Sequence, residues 1–187
     1  MLLFFDMEFT GLRQNTTPIS LGIVSEDGKR FYAEFTDYDE SQCDDWIKEN
    51  VTSELLYDTE KWYEGIVDRQ MHDNKQAISY ALKDWLQQFD TIQFVSDVCH
   101  YDFVLLIDLL TNGGTALDLP NNISDVCHDI NQDIATYFEV SDREAFDMNR
   151  EEILDRLTGC RAVGKKHNSL YDAEIIKEIY EEIGYDF

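Results

Sequence analysis

The chain has 187 residues, 43% of them hydrophobic and 13% aromatic, which supports one buried core and excludes a disordered, fibrous or low-complexity protein. Fifteen lysines and arginines stand against 39 aspartates and glutamates, a formal charge of −24. That balance excludes attachment to nucleic acid or an anionic membrane through a general positive field, but leaves room for a small, locally neutralised cleft. Cys43, Cys99, Cys127 and Cys160 lie too far apart in sequence for a zinc knuckle or a redox pair, and read as reduced thiols. The opening apolar run meets charge at Asp6, too soon for a signal peptide, and no later run is long enough to span a bilayer. The expectation is a single domain, residues 1–187, soluble and cytoplasmic.

Residues 1–7 read as a central strand, a continuous apolar run ending in charge. A turn-rich loop follows from Gly11 to Pro18. Ile19, Leu21 and Ile23 then alternate with their neighbours, Glu26-Asp27-Gly28-Lys29 has hairpin chemistry, and Phe31, Ala33 and Phe35 alternate again. Three antiparallel strands therefore open the chain. From Glu34 to Glu60 there are ten acidic residues against one lysine, which predicts a solvated insertion with a short helix near Asp44–Asn50. Ala77, Ile78, Ala81, Leu82, Trp85, Leu86 and Phe89 form the stripe of an amphipathic helix over 75–89. A buried strand is expected over Thr91–Ser96 and a helix over Tyr101–Leu110, stopped by Gly113-Gly114. Further helices fit 124–138, 143–157 and 169–183. The string Asp-Val-Cys-His occurs at 97–100 and 125–128 in unlike surroundings and reads as coincidence. Strands first, then strands alternating with helices, imply one mixed sheet flanked by helices.

Asp6 and Glu8 are the sharpest chemical signal. On a strand, positions two apart share a face, so two carboxylates would stand side by side at the end of an apolar strand. Such a pair is either a set of rim carboxylates or one neutralised by a hard divalent cation, which prefers oxygen ligands. Asp102 follows the second buried strand and reads as a helix N-cap or as a further ligand, with Asp97 a nearby competitor. Asp172 shares a helical stripe with Ile176, Ile179 and Ile183, so its carboxylate faces inward, where an unpartnered charge is expensive. His167 stands five residues earlier, after Gly164-Lys165-Lys166.

Phe5-Asp6-Met7-Glu8-Phe9-Thr10-Gly11-Leu12, His100-Tyr101-Asp102-Phe103-Val104-Leu105-Leu106 and His167-Asn168-Ser169-Leu170-Tyr171-Asp172-Ala173 resemble, in order, the three motifs of the DEDDh 3'-5' exonucleases. The second motif departs from the family pattern, lacking the asparagine and phenylalanine that usually precede its aspartate. Within that superfamily the acidic insertion, with Trp46-Ile47-Lys48-Glu49-Asn50-Val51, and the pairing of Asp97 with Tyr101-Asp102 look most like the small bacterial and phage 3'-5' exoribonucleases.

The resemblance implies a ribonuclease H-like α/β fold, with three antiparallel N-terminal strands plus parallel strands in one mixed sheet flanked by helices. It also implies two divalent ions, Mg2+ or Mn2+, about 3.5–4 Å apart. Asp6 would bridge both, Glu8 and Asp172 would complete one site, Asp102 would serve the other, and His167 would be the general base. The implied reaction is hydrolysis of the terminal phosphodiester of single-stranded nucleic acid to nucleoside 5'-monophosphates, with RNA favoured over DNA. Phe9, Thr10 and Leu12 would meet the terminal nucleotide, and members of the superfamily often pair as homodimers. Tyr101 and Phe103 could offer stacking faces, although Phe103 reads equally well as core. Residues 156–171 hold Arg156, Arg161, Lys165 and Lys166 without an acidic residue, and are expected to form a phosphate-attracting edge. Two other classes stay open: an acidic nucleic-acid mimic, which needs no ordered carboxylate set, and a catalytically silent interaction module.

Overall fold

The computed structural model describes residues 1–57, 59–63, 67–160 and 164–184. Six strands form one mixed sheet: β1 (Leu2–Phe9), β2 (Pro18–Ser25), β3 (Arg30–Phe35), β4 (Arg69–Asp73), β5 (Gln93–Ser96) and β6 (His128–Asp129), ordered β4-β3-β2-β1-β5-β6. The first three strands are antiparallel neighbours as predicted, turned at Gly28 (φ +87°), while β1 pairs parallel with β5, β3 with β4, and β5 with β6.

Alternation along β1 assigns its residues to two cores. Leu3, Phe5 and Met7 join a cluster under α2 (Lys75–Leu86) and α3 (Cys99–Thr111), with Ile78, Leu82, Leu106 and Leu109. Phe4 faces the other layer, built by α4 (Ile130–Phe138), α5 (Asp142–Asp147), α6 (Arg150–Thr158) and α7 (Ser169–Gly184) around Ile134, Ile153, Ile176 and Ile179. Asp6 and Glu8 lie two and four residues beyond Phe4, and so share the face turned toward α7.

The predicted helix over 143–157 is two helices. Met148 adopts an extended backbone after α5, and the Asn149 side chain caps α6 by accepting from Glu152 N. The helix predicted from 124 starts at Ile130, behind an Asp129 cap and the two-residue β6. The edge strand β4 has no counterpart in the sequence reading, because each of its five residues is partly buried and no alternation marks it. The acidic insertion carries α1 (Asp45–Asn50) close to where it was predicted, but it is not wholly solvated: Cys43, Ile47 and Val51 pack on Ile19.

Candidate active site

The register of the first hairpin builds one wall of the site. Asp6 pairs with Gly22 and Glu8 with Ser20, and a bulge at Glu8/Phe9 ends the regular ladder there. The N-terminus of α7 sits directly on this pair. A Cβ on Gly22 would lie 2.3 Å from both Leu170 N and Ser169 O, and Ser169 Oγ meets Ser20 Oγ at 3.0 Å. Only a glycine lets the helix approach so closely. Asp172, in the first turn of α7, is thereby delivered to the Glu8 side of the strand.

β5 and α3 supply the opposite wall. Asp102 is not an N-cap: Val98 holds that position, and Asp102 lies inside the first turn of α3, 1% exposed, accepting from Ser96 Oγ at 2.9 Å. The ligand atoms of Asp6, Asp97 and Asp102 lie within 4.8 Å of one another, as do those of Glu8, His167 and Asp172. The structure therefore brings all five resemblance-derived residues to one cleft of about 310 Å³ and adds Asp97. Within the cleft Asp6 sits beside Asp102 and Asp97, and Glu8 beside Asp172 and His167. Asp97 has a cation of its own. Arg150 Nε donates to it at 2.8 Å, while the rest of the guanidinium reaches Asn131 Oδ1 and the carbonyls of Ala145 and Met148. Sequence reasoning missed Arg150, whose position looked like the interior of a longer helix.

The electrostatics are those of a site built for a cation. Burial, followed by repulsion from Asp102, Glu8 and Asp172, pushes the Asp6 carboxyl well above the usual range. Burial and Asp97 do the same to Asp102, and burial with Glu8 raises Asp172 to about 8. Asp6 Oδ2 and Asp102 Oδ1 are buried and have no hydrogen-bond partner among the described residues. Such orphaned oxygens in an apolar wall are costly unless a cation meets them, and carboxylate oxygens suit a hard divalent ion. His167 adopts a left-handed backbone (φ +68°), donates its N–H to Asp172 Oδ2 at 2.8 Å, and places Nδ1 3.6 Å from Glu8 Oε1. Its interaction with Glu8 holds the imidazole above its ordinary range against the opposing effect of burial.

Phe9 stacks on Tyr101, with ring centroids 5.5 Å apart and planes 20° from parallel, while Phe103 is core. Leu12 is 73% exposed at the mouth of the cleft, with Phe146 also on its lining. Thr10 is fully buried, and its hydroxyl is taken up by Gln42 at 2.6 Å and the hydroxyls of Thr16 and Thr17, so its side chain braces the loop. The basic stretch is divided. Lys166 lines the cleft, Lys165 is paired with Glu54 at 2.8 Å, Arg156 lies in a separate hollow beside Glu144 and Glu152, and Arg161 is outside the described residues.

A mixed sheet bearing acidic groups on its central strand and on two flanking helices places the chain among the ribonuclease H-like exonuclease folds. Solved structures with this fold include a 3'-exonuclease recognising the 3' end of the histone mRNA stem-loop (TM-score 0.68, 13% identity, 99% of this chain and 63% of that one). S. pombe Pop2p in its Mg2+- and Mn2+-bound form gives a TM-score of 0.61 at 14% identity, covering all of this chain and 83% of its own. Residues 1–184 match the model of the 3'-5' exoribonuclease Rv2179c-like domain, and the chain belongs to that family. The curated 3'-5' exoribonuclease Rv2179c of Mycobacterium tuberculosis (strain H37Rv) is 29% identical over 111 residues, which span 58% of this chain and 61% of that relative. No helix among the described residues is long and apolar enough to cross a membrane.

Proposed function

We propose that the protein is a metal-dependent 3'-5' exonuclease acting on single-stranded RNA ends and releasing nucleoside 5'-monophosphates. One observation carries the reading: carboxylates from β1, α3 and α7 converge with orphaned buried oxygens, and a histidine stands at their edge. Asp6 and Asp102 on one side, and Glu8 and Asp172 on the other, would hold two divalent ions. Those ions would supply neutralisation of the carboxylates and Lewis acidity toward phosphate and water. The remaining work falls to the chain. His167 faces Glu8 through Nδ1, leaving Nε2 to take a proton from the attacking water while Glu8 stabilises the imidazolium that results. Leu12 and the Phe9–Tyr101 pair offer apolar faces to the terminal bases. Lys166 places a positive charge at the cleft, while the chain's overall charge of −24 repels long polyanions and favours engagement of ends. The family and the M. tuberculosis relative support RNA as substrate.

The test is incubation of a 5'-labelled single-stranded RNA, and a DNA of the same sequence, with Mn2+ or Mg2+, beside Asp6→Ala. The expected result is a ladder shortening from the 3' end with nucleoside 5'-monophosphates, faster on RNA, abolished by EDTA and absent in the variant. An inactive wild type, or equal activity in Asp6→Ala, overturns the assignment. Faster DNA cleavage overturns the RNA preference.

A further inference from the structure

The acidic insertion is in contact with the segment that carries His167. Trp46, on α1, is 54% exposed, yet its indole meets the His167 imidazole edge-on, with centroids 5.0 Å apart and planes at 78°. Glu54, at the end of the same insertion, pairs with Lys165 at 2.8 Å, and its carbonyl accepts from Asn168 Nδ2 at 3.2 Å. The insertion thus holds both residues next but one to, or adjacent to, the histidine as well as its ring. Its own anchor is Glu34, a carboxylate 1% exposed that accepts from Tyr32 Oη at 2.8 Å and from the backbone N–H groups of Leu56 and Tyr57.

His167 needs such support. Its left-handed backbone is uncommon for a residue with a side chain, and persists only where the surroundings over-determine it. Glu8 meets the ring only at Nδ1, and the indole adds a second, independent contact that restricts rotation about χ1 and χ2. Edge-to-face aromatic pairs contribute beyond their buried area, and that margin is available here to select one imidazole orientation.

We propose that Trp46 is a positioning residue for the general base, and that the acidic insertion exists at this site as the strap that carries it. The proposal rests on the nuclease reading, with His167 as the base. Trp46 acts on the reaction through His167 alone.

The experiment is a double-mutant cycle on short single-stranded RNA with Mn2+, using Trp46→Ala, Trp46→Phe, His167→Ala and the Trp46→Ala/His167→Ala pair. Trp46→Ala is expected to lower kcat roughly two- to tenfold, the range of one aromatic pair, with KM unchanged to within about twofold. Trp46→Phe restores most of the loss, and in the His167→Ala background the tryptophan change has no further effect. A rise in KM at constant kcat, or a loss that persists without His167, overturns the proposal by showing that Trp46 meets substrate or merely supports the fold. A second readout needs no activity. The ring protons of His167 in the metal-free protein lie in the ring current of the indole, so their NMR shifts move in Trp46→Ala, and unchanged shifts overturn the placement. Inactivity of the wild type would instead strike at the nuclease reading, so the two failures are separable.

Discussion

Replacing Asp172 by asparagine tests the strained electrostatics of the metal-free site. Burial and Glu8 raise the Asp172 carboxyl to about 8, whereas in the unfolded chain it titrates near 3.9. Between roughly pH 4 and pH 8 the folded state therefore holds a proton that the unfolded state has released, and stability falls as the pH rises through that window. Lowering the pH from 8 to 6 should return about 2 kcal/mol through this one group. For a chain of this length that corresponds to roughly 4–8 °C in Tm. The assay is thermal unfolding followed by circular dichroism in EDTA at the two pH values, for wild type and Asp172→Asn. The variant should melt higher than wild type at pH 8 and show a pH response smaller by about that amount, while losing nuclease activity. Mn2+ at pH 8 should stabilise wild type by about 2.7 kcal/mol at a hundred times Kd, and raise its Tm far more than that of the variant. Equal pH responses in the two proteins would refute the reasoning, since they would show that the carboxylate is not desolvated.

His167→Ala should lower kcat about 10²- to 10⁴-fold with little change in Tm, measured by product release from short RNA. Gly22→Ala should destabilise by several kcal/mol and reduce metal-induced stabilisation, because the new methyl meets the backbone of Ser169 and Leu170 and lifts α7 away from β1; calorimetry with and without Mn2+ reads both effects. Arg150→Met, which leaves Asp97 beside Asp6 and Asp102 without its cation, should cost about 3–5 kcal/mol, and adding Asp97→Asn should recover part of it in urea melts. Lys166→Glu should raise KM and lower the slope of log KM against log salt by about 1, with a smaller salt effect for Lys165→Glu, whose ammonium already faces Glu54.

Much of the site was legible because it is written in local periodicities. The two-residue spacing of Asp6 and Glu8 put both on one face of a strand, and the stripe of Asp172 with Ile176, Ile179 and Ile183 turned that carboxylate inward; both readings match the geometry. Gly22 had a signal that went unused, since an isolated glycine inside a strand marks close approach of another backbone. The break between α5 and α6 was also readable, in the capping chemistry of Asn149. Other features are products of tertiary pairing and leave no local trace. Arg150 finds Asp97 only because α6 packs back across the cleft, and Trp46 finds His167 only because the insertion folds over the sheet. The repeated Asp-Val-Cys-His string, dismissed as coincidence, puts Cys99 and Cys127 within 3.0 Å because β5 and β6 pair side by side. Sequence spacing alone had separated those thiols.

The docking of α7 on Gly22 and Ser20 fixes when the molecule acquires its chemistry. Asp6 and Glu8 lie on β1, yet they gain Asp172 and His167 only when α7, far along the sequence, has settled on the hairpin. A chain whose α7 has not docked keeps Asp6, Glu8, Asp97 and Asp102 but lacks Asp172 and His167, an incomplete acidic set without the proposed base. In the proposed nuclease, completion of the fold is the step that arms it.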